Sequence, residues 1–279
     1  MTDWFQTIKN FGNPIKNFGL SLLTFTLKYY LDSIGVINYS TIKYPIIDIK
    51  VTVRTNPFWK LWEKYQWEFM CIKHISDVVK PRQVIFDVGS WIGSYTLLFS
   101  KLMHNTGQVY AFDCDPKAFD VLRDNLEKNL VTNVRMEKIC LSNSVGKADL
   151  RFGNGLSESS LINQEQTTKF KMIRVETATI DTYCEENKIS PNGIKIDVEG
   201  AEGLVIEGCR DTLEKCHPWI LLEFHGMFMS EKERIRNWYR IVNSSKKIVF
   251  IDGNSQKYQY GSEVTSLPDC QYFHVFIQY

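Results

Sequence analysis

Short and long apolar segments alternate along the chain after Pro81, and this alternation constrains the fold more than any other feature. The short segments 84–88 and 108–112 have the length and composition of buried strands, whereas 95–103 and 117–129 have helical periodicity. Strands that alternate with helices form a mostly parallel sheet covered by helices on both faces. The sequence therefore predicts an α/β protein.

The remaining elements continue this pattern, except at the end. Further strands are predicted over 134–141, 193–198, 219–224, 247–252 and 272–279, and further helices over 58–79, 179–188, 200–216 and 232–244. Residues 142–172 are polar, and loops with weak strands are expected there. The last two strands have no helix between them and pair most simply antiparallel. A mostly parallel seven-stranded sheet closed by a terminal antiparallel hairpin is the Rossmann-like architecture of class I methyltransferases.

Residues 1–56 are predicted to be an extension that precedes a main domain over 57–279. The extension contains an apolar helix candidate at 15–37 and an alternating strand candidate at 46–55. Two lysines and an aspartate interrupt the helix candidate, and its longest uncharged stretch is far shorter than the roughly 20 residues that span a bilayer. We expect it to pack on the domain or to lie on a membrane surface.

Charge and cysteine content narrow the class of protein. The formal net charge is +1, which gives no electrostatic reason to expect nucleic-acid binding. The seven cysteines are odd in number and form no C-x-x-C pair, so buried, reduced thiols in a cytoplasmic protein are expected. The alternative to a purely cytoplasmic location is peripheral attachment to a membrane through the N-terminal helix.

A glycine-containing turn follows the first strand of the alternation. The run D-V-G-S-W-I-G-S-Y-T occupies residues 87–96. Gly89 and Gly93 allow a tight turn and close approach of the backbone to a ligand. The N–H groups of the following helix suit a carboxylate, and Asp87 is placed to hold an ammonium. The methionyl end of S-adenosylmethionine carries both groups.

The second strand ends in an acidic residue, Asp113, which lies 20 residues after Gly93. This spacing is typical of an acid that accepts hydrogen bonds from ribose hydroxyls. The two motifs together indicate a nucleoside cofactor, although both acids also suit simple helix capping. Trp91 stands where a G-x-G-x-x-G loop has its second glycine, which disfavours a dinucleotide dehydrogenase.

The run I-K-I-D-V-E-G-A-E over 194–202 closely resembles the signature of the FkbM family of methyltransferases. The turn over 87–96, the acid turn ending at Cys114, the run L-E-F-H over 222–225 and the pair Trp67-Glu68 fit the same family, over roughly residues 65–279. The chain departs from the family where Ser90-Trp91 replaces Ala-Asn, where Asp113 replaces Glu, and where Cys114 replaces Pro.

The resemblance implies O-methylation of hydroxyls, often on sugars or natural products, with S-adenosylmethionine as the methyl donor. Matching the motifs residue by residue gives eight expected cofactor-binding residues: Glu68, Asp87, Gly89, Gly93, Thr96, Asp113, Leu141 and Asp197. The expected partner is a small-molecule or glycan acceptor. The sequence gives no oligomeric state.

Ionisable residues at the ends of the fourth and fifth strands are the catalytic candidates, because open α/β sheets bind ligands at the carboxyl ends of their strands. His225 is the preferred general base, since the ordinary histidine pKa suits proton transfer near neutrality. Glu199 and Glu223 are expected to act beside it. His225 also suits a helix cap or a core position, and Glu199 and Glu202 also suit a helix N-terminus.

Three other functions remain open from the sequence. Asp197 and Glu223 resemble the Mg²⁺ ligands of catechol-type O-methyltransferases, although metal is not part of the main prediction. A non-catalytic S-adenosylmethionine-binding module is a second possibility, against which the complete run 197–202 argues. A nucleic-acid methyltransferase is the third; it lacks support because Asp197-Val198-Glu199-Gly200 stands where such enzymes carry an N-P-P-Y-like run.

Overall fold

The computed structural model describes residues 38–56, 58–59, 62–63, 68–152, 159–160 and 171–279. The chain divides into two compact units between residues 67 and 68, whereas the sequence places the boundary after residue 56. The apolar segment 15–37 lies outside the described residues. Within those residues, no helix has both the length and the apolar character that crossing a bilayer requires.

The first unit contains an antiparallel hairpin. Strand β1 (Tyr39–Lys43) pairs with β2 (Lys50–Arg54) in a register that places Tyr39 opposite Arg54. Val51 and Val53 are buried on alternate positions of β2, as the alternation of this segment predicts. The predicted strand over 46–55 is therefore confirmed in a shorter form, and its partner β1 was not predicted.

The second unit contains the remaining elements, most of which lie where the periodicity predicts them. Its strands are β3 (Val84–Val88), β4 (Gln108–Phe112), β5 (Val134–Glu137), β6 (Cys140–Leu141), β7 (Gly146–Phe152), β8 (Ser159–Ser160), β9 (Lys171–Ala178), β10 (Gly193–Ile196), β11 (Trp219–His225), β12 (Lys247–Gly253) and β13 (Tyr272–Gln278). Its helices are α1 (Phe69–Val78), α2 (Ser94–Leu102), α3 (Pro116–Lys128), α4 (Ile180–Asn187), α5 (Glu202–Glu207), α6 (Arg210–Cys216) and α7 (Glu231–Asn243).

The main sheet has seven strands in the order β12-β13-β11-β10-β3-β4-β5. Strands β11, β10, β3, β4 and β5 run parallel to one another, and β13 is antiparallel to both β11 and β12. The predicted seven-stranded, mostly parallel sheet with a terminal antiparallel hairpin is confirmed. From β3 the successive strands β4 and β5 lie toward one edge of the sheet, whereas β10 and β11 lie toward the other edge. The order of strands therefore switches between β3 and β10, and open α/β sheets bind ligands at the carboxyl ends of the strands at such a switch point.

The two faces of the sheet differ in polarity around β10 and β11. The register places Lys195 of β10 beside Asp87 of β3, and Glu223 of β11 opposite His274 of β13. The alternate residues Ile196, Leu222 and Val275 are buried in the main apolar core. Side chains of a strand alternate between faces, so this register collects polar groups on one face.

Three predicted elements differ in the structure. The segment 134–141 forms β5 and β6 in two separate sheets, and the polar region 142–172 contributes to a four-stranded sheet in the order β6-β9-β7-β8. The helix predicted over 200–216 is divided into α5 and α6. A Cβ on Gly208 would lie 2.1 Å from the carbonyl oxygen of Ser142, so the chain passes too close to a neighbouring strand for a larger residue there.

The helix predicted over 58–79 is described only in part. Its last segment is α1, which starts after Glu68, and the backbone of Glu68 is left-handed with φ 57°. A non-glycine residue in this conformation interrupts helical geometry. The helical periodicity of the aromatic residues ahead of it does not reveal this interruption.

Candidate active site

The turn after β3 requires glycine for two different reasons. Gly89 has φ +79°, and a Cβ built there would lie 1.7 Å from the carbonyl oxygen of Asp197. Gly93 has φ +93°, and its Cβ would lie 2.5 Å from a methyl carbon of Leu122. The first contact brings the turn against the end of β10, so the two motifs found in the sequence meet in the structure.

Asp87 is fully buried at the end of β3. One carboxylate oxygen accepts a hydrogen bond from the Thr96 hydroxyl at 2.5 Å, and the other has no hydrogen-bond partner among the described residues. Burial raises the pKa of Asp87, although Lys195 opposes this shift. A buried oxygen without a donor is costly unless a ligand supplies one. The unpartnered oxygen therefore fits the ammonium of a methionyl group, and Thr96 orients the carboxylate from behind.

The N–H groups of the turn are largely used within the protein. Gly89 and Ser90 both donate to the carbonyl of Phe112, and Gly93 donates to the carbonyl of Ser90. The donors that the sequence predicts for a ligand are the N–H groups of the following helix, and these three N–H groups are not among them. Within the part of the chain that the structure describes, the buried Ser90 hydroxyl has no hydrogen-bond partner, so it could bind a ligand.

Asp113 lies immediately after β4 and closes the same turn. Its two oxygens accept hydrogen bonds from the backbone N–H of Trp91 at 2.7 Å and of Asp115 at 2.8 Å. Burial raises the pKa of Asp113 to about 7. Both oxygens are thus held in place by backbone N–H groups.

A disulfide joins Cys114 to Cys140, with their Cα atoms 5.5 Å apart. The expectation of reduced thiols is wrong for this pair and holds for the five other cysteines, which form no disulfide. Cys114 follows Asp113 in the chain, and Cys140 precedes Leu141, which is buried in the core. The bond therefore connects the backbone next to two of the residues expected to contact the cofactor.

Lys195 is an important site residue that the sequence analysis missed. It is almost fully buried in β10, donates to Asp197 at 2.7 Å, and lies 4.9 Å from the centre of the Tyr95 ring. A central parallel strand is covered on both faces and is ordinarily apolar throughout. A lysine between Ile194 and Ile196 in such a strand is therefore a sequence signal for a functional residue.

Glu68 lies close to Glu223 and His274, with its carboxylate among their possible ligand atoms. Burial and the charge of Glu223 raise the pKa of Glu68 to about 7, while His274 and Lys195 oppose the shift. The Tyr95 side chain is a further neighbour of this carboxyl. Glu68 is therefore surrounded by the buried ionisable groups of β10, β11 and β13.

His225 ends β11 between several carboxylates. Its Nδ1 is hydrogen-bonded to Glu202 at 2.8 Å, and the same Glu202 oxygen accepts from the backbone N–H of Gly200 at 2.9 Å. Its Nε2 lies 3.3 Å from Glu223, 3.8 Å from Asp197 and 3.9 Å from Glu199. The structure thus brings the three predicted catalytic residues together with Asp197.

The pKa of His225 is held well above its ordinary value. Burial lowers the pKa, but the negative charges of Glu199 and Glu223 and the hydrogen bonds to Glu202 and Glu223 outweigh burial. The sequence argument for His225 rested on an unshifted pKa, and that part of it is wrong. Any role as a base therefore requires a more alkaline pH than an isolated histidine needs.

The carboxylates around His225 lie close to one another, and the backbone of one of them is left-handed. Glu199 has a left-handed backbone with φ 52°, and burial together with Asp197 raises the pKa of its carboxyl to about 8. Burial and Glu223 likewise raise the pKa of Asp197. Glu202, fully buried at the start of α5, was considered only as a helix-terminal carboxylate, although it holds the histidine.

Two groups of side chains have the geometry to hold a cation. Asp197, Glu199 and His225 place their ligand atoms within 4.8 Å of one another, and so do Glu68, Glu223 and His274. Among the described residues, Asp197 therefore groups with Glu199 and His225 rather than with Glu223, the partner that the catechol-type comparison suggested. Oxygen-rich groups of this kind suit hard divalent cations.

The strand order, the glycine turn and the acid after β4 define a Rossmann-like class I methyltransferase domain. A family model described as the methyltransferase FkbM domain matches residues 87–260. The chain belongs to the FkbM methyltransferase family, whose cofactor is S-adenosylmethionine. The resemblance seen in the sequence is thereby confirmed.

Curated relatives match parts of the chain. The 2-O-methyltransferase NoeI of Sinorhizobium fredii is 30% identical over 156 residues, which cover 50% of this chain and 63% of NoeI. The hexuronic acid methyltransferase AglP of Haloferax volcanii is 28% identical over 159 residues, covering 56% and 61%. A ribosomal protein L11 methyltransferase of Thermoanaerobacter pseudethanolicus is 37% identical over 90 residues, covering 32% and 29%. The chain thus spans less than two thirds of each of these relatives.

Among solved structures, a methyltransferase FkbM from Methylobacillus flagellatus superposes with a TM-score of 0.47 at 13% identity. The superposition covers 72% of this chain and 44% of that one.

Proposed function

We propose that the chain is an S-adenosylmethionine-dependent O-methyltransferase that acts on a hydroxyl of a sugar, glycolipid or natural product. The observation that carries the proposal is the position of His225, whose Nε2 faces Asp197 and Glu199 at the strand ends. The backbone at Asp197 touches the glycine turn at Gly89, so an acceptor hydroxyl near Nε2 would lie next to the cofactor. The relatives NoeI and AglP, which are named for sugar methylation or O-methylation, agree with this class of acceptor.

The protein residues have separable tasks in this reaction. S-adenosylmethionine supplies a methyl group on a sulfonium, whose departure leaves a neutral thioether. Asp87 and Ser90 bind the methionyl end through their unpartnered oxygens, and Asp113 binds the ribose. His225, in its neutral form, accepts the acceptor hydroxyl proton on Nε2 while the oxygen attacks the methyl carbon. Glu202 keeps Nδ1 protonated and stabilises the imidazolium that results.

The acceptor class is testable by product release. Purified protein should release S-adenosylhomocysteine in the presence of a member of a panel of free glycans, lipid-linked sugars and hydroxylated natural products. Double-stranded DNA and structured RNA serve as the negative acceptors, because the net charge offers no general attraction to nucleic acid. Release only with RNA would overturn the proposed acceptor class. Binding of S-adenosylhomocysteine with no release for any acceptor would favour the non-catalytic module.

A metal-assisted reaction is a second candidate, favoured by the grouping of Asp197, Glu199 and His225 within 4.8 Å. A divalent cation there would lower the pKa of an acceptor hydroxyl directly, and His225 would then be a ligand instead of a base. Prolonged treatment with a chelator separates the two candidates. Full activity after chelation supports the base mechanism, whereas loss of activity that Mg²⁺ or Mn²⁺ restores supports the metal mechanism.

A further inference from the structure

One buried ionisable residue on the polar face has no role in the reaction described above. His274 is in β13, directly opposite Glu223 of β11, and is 3% exposed. It lies beyond residues 87–260, the part of the chain that the family model matches. Its neighbours Phe273 and Val275 belong to the apolar core on the other face, so the register alone directs the histidine toward the site.

Glu223 is the link between His274 and the candidate base. One Glu223 oxygen lies 3.2 Å from Nε2 of His274, and the other lies 3.3 Å from Nε2 of His225. With the bond from His225 to Glu202, carboxylates and imidazoles alternate along a buried row of four side chains. This His274–Glu223–His225–Glu202 row ends at the strand tips, where the acceptor is expected.

A buried carboxylate between two imidazoles needs both of them. Removing one partner of a buried charge leaves the other uncompensated, which is more costly than the loss of a single exposed contact. An imidazole lies within 3.3 Å of each Glu223 oxygen, and the contact with His274 is an ion pair that lacks hydrogen-bond alignment among the described residues. Without His274, the carboxylate would be free to turn away from His225 toward another donor.

The groups that face this pair come from several elements. Around His274 and Glu223 lie Cys71 and Glu68 near the start of α1, Lys195 of β10 and Tyr272 of β13. Cys71 contacts the His274 ring and Tyr272 is a neighbour of Glu223, so neither replaces the cationic partner that His274 provides. Lys195 is already bonded to Asp197.

We propose that His274 is a positioning residue for methyl transfer. It holds Glu223 in the orientation that aligns Nε2 of His225 with the acceptor, and it does not itself touch the reacting atoms. The proposal rests on the proposed function, because alignment of His225 matters for turnover only if His225 accepts the proton. The alignment itself is a structural property, and it is measurable without turnover.

The first test compares two substitutions with the same loss of charge. His274→Leu removes the polar group that contacts Glu223, whereas His274→Gln keeps an N–H group that can reach a similar position. We expect His274→Leu to lower kcat about 10- to 100-fold with little change in the KM for S-adenosylmethionine, and His274→Gln to restore most of kcat. His74→Leu, at a half-buried histidine of α1 that packs on the Phe276 ring, is the matched control and should retain wild-type kcat. Equal activity of His274→Leu and wild type would overturn the proposal.

A double-mutant cycle tests whether His274 acts through Glu223. In a Glu223→Gln background, His274→Leu should lower kcat by much less than it does in the wild type, because the residue through which it acts is already neutral. Additive losses would show that His274 acts independently of Glu223. That result would contradict the proposed role even if His274→Leu lowers kcat on its own.

An NMR measurement separates failure of this proposal from failure of the proposed function. The ¹⁵N shifts of the His225 ring report its hydrogen bonds in folded protein without any acceptor. The Nε2 signal should change in His274→Leu and in Glu223→Gln but not in His274→Gln. An unchanged signal in all three variants overturns the positioning role. The absence of methyl transfer by the wild type, with the expected NMR changes present, overturns the proposed function alone.

Discussion

Polar residues two positions apart mark the site at the level of single residues. Lys195 and Asp197, Glu223 and His225, and Tyr272 and His274 each share a face of their strand, and each pair is separated by an apolar core residue. The sequence analysis found His225, Glu223 and Asp197 from strand ends alone. Lys195 and His274 were missed because the register between strands places them on the polar face, although a lysine within an apolar strand was a local signal. Glu202 was expected only as a helix-terminal carboxylate, and its contact with His225 joins α5 to β11.

The raised pKa of His225 gives a prediction for the pH dependence of the reaction. A base acts when deprotonated, so kcat/KM should increase with pH and reach its plateau only well above pH 6.5, the ordinary histidine value. Glu223→Gln removes a negative charge that stabilises the imidazolium, so the rise should move to lower pH in that variant. A wild-type profile that is already flat above pH 6 would contradict the assignment of His225 as the base.

Gly89 gives a prediction about close backbone approach. Gly89→Ala and Gly261→Ala introduce a side chain at a similar positive φ, +79° and +83°, but only at Gly89 would the Cβ collide with another backbone atom. Gly89→Ala should therefore abolish measurable binding of S-adenosylhomocysteine in calorimetry. Gly261→Ala should cost only the backbone strain, about 1–2 kcal/mol of stability, and leave binding intact. Similar binding by the two variants would refute the contact between the turn and β10.

Asp113 is held by two backbone N–H groups, which gives its replacement two expected effects. Asp113→Ala removes a hydrogen-bond acceptor from the ribose and also frees the Trp91 N–H, whose residue has a left-handed backbone with φ 46°. We expect the affinity for S-adenosylhomocysteine to fall by about 1–3 kcal/mol in calorimetry. Asp113→Asn keeps one acceptor oxygen, so its affinity for S-adenosylhomocysteine should fall less. Higher affinity for NAD than for S-adenosylhomocysteine would contradict the cofactor assignment.

At the level of elements, hydrophobic periodicity predicted the strands of the main sheet and the helices that cover its two faces. It failed in the region 142–172, although Ala148, Leu150 and Phe152 alternate with charged residues in β7. That strand pairs with β9 across a long stretch of chain, and a short alternating segment within a polar region gives no sign of a distant partner. The close approach of Gly208, which lies between α5 and α6, to Ser142, which lies just after β6, is likewise a long-range contact that the local sequence does not show.

The disulfide joins two of these elements and has a measurable contribution. It links Cys114, just before α3, to Cys140 in β6, with a sequence separation of 26 residues. Closing a loop of this length in the unfolded chain stabilises the folded state by about 3 kcal/mol in the chain-entropy description. The paired replacement Cys114→Ser with Cys140→Ser should therefore lower Tm by roughly 5–10 °C.

A matched control and a chemical test accompany this prediction. Cys216→Ser changes a partly exposed free thiol and should leave Tm nearly unchanged. A thiol reductant should lower the Tm of the wild type and have little effect on the double serine variant. Identical melting of the wild type with and without reductant would show that the bond makes no contribution to stability.

At the level of the whole molecule, the fold was largely predictable because strand and helix periods alternate so regularly. The acceptor was not, because no motif in the sequence names it. The extension has its own prediction, made from the sequence alone. Charged side chains at the middle of a bilayer cost at least about 2.5 kcal/mol each, so the apolar segment 15–37 should not span a membrane. Resistance of membrane-bound protein to both high salt and alkaline carbonate would contradict this.

The central claim is that His225 serves methyl transfer from a cofactor held by the turn at 87–96 and Asp113. The most direct measurement compares the wild type with His225→Ala, using the rate of S-adenosylhomocysteine release with an active acceptor and the affinity for S-adenosylhomocysteine in calorimetry. We expect kcat to fall about 10²–10⁴-fold while the affinity changes little. A His225→Ala variant that keeps near-wild-type kcat would contradict the account.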